Sequence, residues 1–154
     1  MRKFLVATLL ALACLAPSAA PAGARGLATG AEAAYASGAV RATNAARAEH
    51  DRKALRVSDC LRRFAVKQAE AMAAAGSIFH QDLGAVMDGC GLNTAGENVA
   101  VGYPTGRSVV RQGWMNSAGH RANILSRSFR LVAVAARRGE GGTWYAAQVF
   151  GRRP

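Results

Sequence analysis

The chain has 154 residues, 51% hydrophobic and 19% charged, which excludes a disordered polyelectrolyte and leaves apolar material for one core. Lys and Arg number 20 against 9 Asp and Glu, a formal charge of +11; such a balance favours anionic partners and says nothing of fold. The basic residues are 17 Arg and 3 Lys, scattered singly or in pairs such as Arg62-Arg63, Arg137-Arg138 and Arg152-Arg153, and the lack of a longer basic tract argues against nucleic acid as partner.

Met1-Arg2-Lys3, the apolar run from Phe4 to Leu15 and the small residues from Pro17 to Ala24 read as a secretory signal peptide over residues 1–24. The run is too short to span a bilayer. Cleavage is expected after Ala24, with Ala20 as second choice. Lipidation at Cys14 is disfavoured, because Ala11 stands where the leucine three residues before the cysteine is usual. The mature chain is therefore expected to be exported, without a transmembrane segment. Cys60 and Cys90 are then the two cysteines left in an oxidising compartment, and they are expected to pair.

A linker over Arg25 to Gly30 precedes a first helix from Ala31 to His50, with Val40, Asn44 and Arg47 on one side. Ser58 caps a second helix whose Leu61, Phe64, Ala65, Ala69 and Met72 follow helical spacing, and Gly76 ends it. Ile78 to Asn93 shows no period and reads as a long loop carrying His80 and Cys90. Glu97 to Val101 reads as a short strand. Ser108 is expected to cap a third helix with Val109, Val110, Trp114 and Met115, and Ser117 a fourth with His120, Ile124 and Leu125. Phe129 to Arg137 and Thr143 to Phe150 form a hairpin around Gly139-Glu140-Gly141-Gly142. The pattern is an α+β domain with helices packed on a small sheet.

His80, Glu97 and His120 are the candidates for chemistry, each beside a glycine or at an element boundary. Two imidazoles and a carboxylate suit a divalent metal such as zinc, with a fourth position open to water or substrate. His120, in the first turn of its helix, is expected to be neutral because the positive end of the helix dipole disfavours imidazolium. Trp114 reads as core. No Gly-x-Ser-x-Gly element supports a serine nucleophile.

Phe79-His80, Gly96-Glu97-Asn98-Val99-Ala100, the run from Trp114 to Leu125 (WMNSAGHRANIL) and the closing Trp144 to Gly151 (WYAAQVFG) occur in an order that resembles the CAP superfamily. This is the group of cysteine-rich secretory, antigen 5 and pathogenesis-related proteins, or SCP-like extracellular domains, and the chain resembles its compact bacterial branch over about residues 39–151. Residues 25–38 are then linker and the start of helix one. The resemblance implies a three-layer α-β-α sandwich with a mainly antiparallel sheet, and a cleft where His80, Glu97 and His120 meet. Animal and plant members carry a second glutamate three residues after the tryptophan; here that place holds Ser117. Val132-Ala133 likewise fills a stretch of the first hairpin strand where the family often has glycine.

Family and fold alone do not settle activity. The favoured reading is a secreted, non-catalytic binding module whose polar cleft meets a small molecule or lipid, or an anionic envelope component. The alternative is a metal-dependent hydrolase in which His80 and His120 hold the ion and Glu97 serves as base or third ligand.

Overall fold

The computed structural model describes residues 30–154, so the expected signal peptide and most of the expected linker lie outside the described residues. Helix α1 (Gly30–Glu49) buries Tyr35 together with Ala39, Ala42 and Ala46, and the small alanine side chains let it lie close to its neighbours. From α1 the Asn44 side chain donates to the Leu55 carbonyl at 3.0 Å and accepts from the Leu55 N–H at 2.9 Å. Leu55 is thereby satisfied as if by a neighbouring strand, and the next residues form β1 (Arg56–Val57), too short to leave a sequence pattern.

Helix α2 (Asp59–Ala75) follows the sequence reading. The Ser58 hydroxyl accepts from the Leu61 N–H, and Gly76, at φ 63°, donates its N–H to the Met72 carbonyl. The stretch read as a loop departs from expectation, because it contains helix α3 (Leu83–Cys90). Asp82 caps α3 by accepting from the Gly84 N–H, and Gly91, at φ 60°, ends it. Cys60 and Cys90 form a disulfide with Cα atoms 5.8 Å apart, which joins the first turn of α2 to the last residue of α3 rather than to a loop.

Strands β2 (Thr94–Val101), β3 (Leu131–Arg138) and β4 (Trp144–Arg152) complete a four-stranded sheet in the order β1-β3-β4-β2. β1 and β3 are parallel and the other two pairings antiparallel. Between β2 and β3 lies α4, a helical stretch over 106–116 that opens as an α turn (Gly106–Ser108), widens to π geometry (Val109–Gly113) and tightens to a 3-10 turn (Trp114–Asn116). It begins earlier than expected: Thr105 is the cap, and Ser108 is its reciprocal partner in a capping box. Gly106 lets α4 meet α1, since a Cβ there would sit 1.9 Å from the Tyr35 carbonyl oxygen. Helix α5 (Ala118–Leu125) follows.

Alternation along β3 and β4 divides the core. Val132, Val134 and Phe150 pack with Tyr35, Ala39, Trp114 and Ile124 on the side of α1, α4 and α5. Leu131, Ala133 and Val149 pack with Leu61, Ala65 and Val86 on the side of α2 and α3. The result is the expected three-layer α-β-α sandwich with a mainly antiparallel sheet, and Trp114 is core at 1% exposure. Among the described residues no helix is long and apolar enough to cross a membrane.

The disulfide closes a sequence separation of 30 residues, for which the chain-entropy relation gives about 3 to 4 kcal/mol. Urea unfolding of oxidised and reduced protein is expected to show a loss of that order; coincident curves contradict it.

Candidate functional site

Strand β2 lies at the edge of the sheet, and alternation sends Glu97 and Val99 toward α2 and α3 and Asn98 and Ala100 toward α1, α4 and α5. The Glu97 side chain is only 1% exposed. Its Oε2 contacts His80 Nδ1 at 2.7 Å and accepts the Gln81 N–H at 3.2 Å, while Oε1 accepts from Gln81 Nε2 at 2.5 Å. A carboxylate that accepts from Gln81 through both oxygens is an acceptor toward the ring as well, so His80 donates through Nδ1–H. These charge-assisted bonds offset the cost of burying the carboxylate. The His80 side chain stays 60% exposed, with Nε2 as the ring nitrogen not engaged by Glu97.

The segment carrying His80 is anchored from below. Gln68, buried on α2, donates through Nε2 to the Phe79 carbonyl. Gly96 must be small, because a Cβ there would lie 2.6 Å from the Phe129 ring.

The outer carbonyls of β2 are taken by side chains. Asn123 Nδ2 donates to the Glu97 carbonyl at 3.0 Å and to Asn98 Oδ1 at 2.9 Å, and Trp114 Nε1 donates to the Val99 carbonyl at 3.2 Å. Asn98 Nδ2 in turn donates to the His120 carbonyl at 3.2 Å and to Gln148 Oε1 at 3.0 Å, and Gln148 Nε2 donates to Thr43 Oγ1 at 2.8 Å. This chain of amides runs from α1 through the sheet to α5 and fixes where α5 starts. The far end of α5 is held by buried Arg47, which donates to the carbonyls of Ile124 at 2.6 Å and Ser126 at 2.9 Å. No buried side-chain nitrogen or oxygen among the described residues lacks a partner. Gln81, Asn98, Asn123 and Gln148 were not singled out from the sequence, although the last three stand inside the motifs that carried the resemblance.

His120 lies in the first turn of α5, and Ser117 takes the capping position without a side-chain cap bond. Its imidazole forms no hydrogen bond among the described residues. Burial holds its pKa below the ordinary histidine value, and the charge of nearby His80 lowers it further. The neutral form is thus favoured through burial and His80, not through the helix terminus from which it was expected.

The structure therefore brings His80 and Glu97 into contact and sets His120 within reach of the His80 charge. Among the described residues no group of three His, Cys, Asp or Glu side chains is disposed to hold a metal ion. Glu97 accepts from His80 on Oε2 and from Gln81 on both oxygens.

Residues 40–150 match the cysteine-rich secretory protein family, CAP. The uncharacterized protein YkwD of Bacillus subtilis (strain 168) is 34% identical over 126 residues, which cover 77% of this chain and 48% of YkwD. The chain thus spans about half the length of that curated relative. An extracellular protein containing a SCP domain from Bacillus anthracis has a similar structure, with a TM-score of 0.69 and 26% identity over 79% of this chain and 41% of that one. A cysteine-rich secretory protein of Staphylococcus aureus (TM-score 0.68, 19% identity, 80% of this chain and 40% of that one) shares the fold. So does an outer surface protein of Borrelia burgdorferi (TM-score 0.66, 18% identity, 75% and 90%).

The lowered pKa of His120 makes stability depend on pH. The folded state takes up its proton at lower pH than the unfolded chain, so stability is full above the ordinary histidine value and falls as pH drops through it. In ring-resolved NMR titrations His120 is expected to titrate below the ordinary value, and His80→Gln to move it part of the way back. An unchanged His120 titration in that variant contradicts the proximity of the two rings.

Proposed function

The chain belongs to the cysteine-rich secretory protein (CAP) family, and from that premise we propose that it is a secreted, non-catalytic binding module whose His80/Glu97/His120 edge contacts a component of the cell envelope. The observation that carries this reading is the engagement of Glu97. With His80 on one oxygen and Gln81 on both, the buried carboxylate is committed to hydrogen bonds that orient an exposed imidazole. Such an imidazole donates or accepts one hydrogen bond at Nε2 according to its protonation, and neutral His120 adds another acceptor or donor. Ser117 supplies no second carboxylate beside Glu97. Nothing among the described residues favours the hydrolase over binding.

Export is supported by the signal-like N-terminus and by the extracellular, secretory or surface character of the similar proteins. The disulfide accords with it.

Equilibrium binding of the mature protein to purified envelope polymers and lipids tests the reading. The wild type is expected to bind at least one of them, and His80→Ala to weaken that binding by about tenfold, the worth of one charge-assisted hydrogen bond. Absence of binding at both low and high salt, or binding untouched by His80→Ala, contradicts it.

A further inference from the structure

At one end of the sheet, three adjacent strands deliver arginines side by side: Arg56 in β1, Arg130 just before β3 and Arg152 at the end of β4, with Arg153 next in the chain. Their backbones are neighbours. The Arg56 N–H donates to the Arg130 carbonyl at 3.0 Å, and the Arg130 N–H donates to the Gly151 carbonyl at 3.0 Å. All four line a cavity of about 460 Å³, which Ser58 and the first turn of α2 also border.

The charge gathered there is not neutralised from within. Asp59 is the acidic side chain on the lining, and it pairs with Arg62 at 2.8 Å. Among the described residues none of the four arginines forms an ion pair. Arg130 is steadied by bonds from one terminal nitrogen to the carbonyls of Arg127 at 2.7 Å and Phe129 at 2.9 Å, and Arg152 by a long bond from Nε to Asn93 at 3.5 Å. The remaining guanidinium N–H groups have no partner among the described residues. Arg130 also borders a second depression of about 210 Å³ that holds Arg52, Lys53 and Arg127, with Asp51 as its acidic member.

Like charges held together repel one another, and the fold retains that cost. A tetrahedral oxyanion relieves it, because the planar guanidinium fork matches phosphate oxygens two at a time. Among the described residues no aromatic ring lines the cavity, so they offer no platform for stacking a nucleobase. The geometry points to a second binding site, distinct from the β2 edge, in which Arg56, Arg130, Arg152 and Arg153 take the phosphate groups of an anionic ligand.

Tripolyphosphate is the probe, titrated calorimetrically into the mature protein at low salt. Wild type is expected to bind, and Arg130→Gln/Arg152→Gln to bind about tenfold or more weakly. A control with the same loss of charge elsewhere, Arg41→Gln/Arg107→Gln, is expected to change affinity by no more than about twofold. His80→Ala is expected to leave tripolyphosphate binding unchanged, which separates this site from the one on β2. If the Arg130/Arg152 pair fails to fold, Arg56→Gln/Arg153→Gln serves in its place, since neither of those side chains has a hydrogen bond or ion pair among the described residues. Vesicles of phosphatidylglycerol and of phosphatidylcholine identify the source. Binding only to the former, lost in the same arginine variant, assigns a lipid headgroup; tripolyphosphate binding without vesicle binding assigns phosphate outside a lipid surface. No wild-type binding to tripolyphosphate, or equal losses in the site and control pairs, overturns the proposal.

Discussion

The outward carbonyls of Glu97 and Val99, on an edge strand with no further strand to pair with, must find donors, and Asn123 and Trp114 supply them. Most of the site geometry depends on that arrangement. Two side chains from the α4 and α5 segments stand where a fifth strand would lie, so the turn between those helices is pinned against β2 and His120 is set beside it. The same strand sends Glu97 to the opposite face, where it is buried and draws in His80 and Gln81. One edge strand thus collects groups from both helical layers.

The interior amides make this placement cooperative. Asn123 and Asn98 each donate to two acceptors, and Gln148 and Thr43 continue the chain to α1. Loss of one member leaves its neighbours buried with unmet hydrogen bonds, which costs more than the bond itself. Residues far from His80 and His120 in sequence therefore position them. Arg47 plays a parallel part with the opposite chemistry, a buried cation satisfied by the carbonyls where α5 ends.

What could be read before the fold was known follows from how each element is stabilised. α2 was readable because its cap, its apolar spacing and its terminal glycine agree. α3 was hidden because eight residues with Gly84 and Gly89 show no period, although Asp82 and Gly91 mark both its ends. α4 changes its winding between α, π and 3-10 turns, so one helical period does not describe it, and its cap at Thr105 was misplaced to Ser108. His80, Glu97 and His120 were recognisable as residue types beside motif glycines. The use of both Glu97 oxygens was not, because it depends on Gln81 bonding through backbone and side chain together, which no spacing rule encodes.

The central claim is that a buried, hydrogen-bonded Glu97 carboxylate orients His80 and leaves its Nε2 for a ligand. The most direct test is the tautomer of His80, read from ring nitrogen shifts by NMR on the alkaline side of the imidazole titration, where the ring is neutral. The account predicts the Nδ1–H form in the wild type, with Nε2 unprotonated. An Nε2–H form, with Nδ1 carrying no proton toward Glu97, would contradict it.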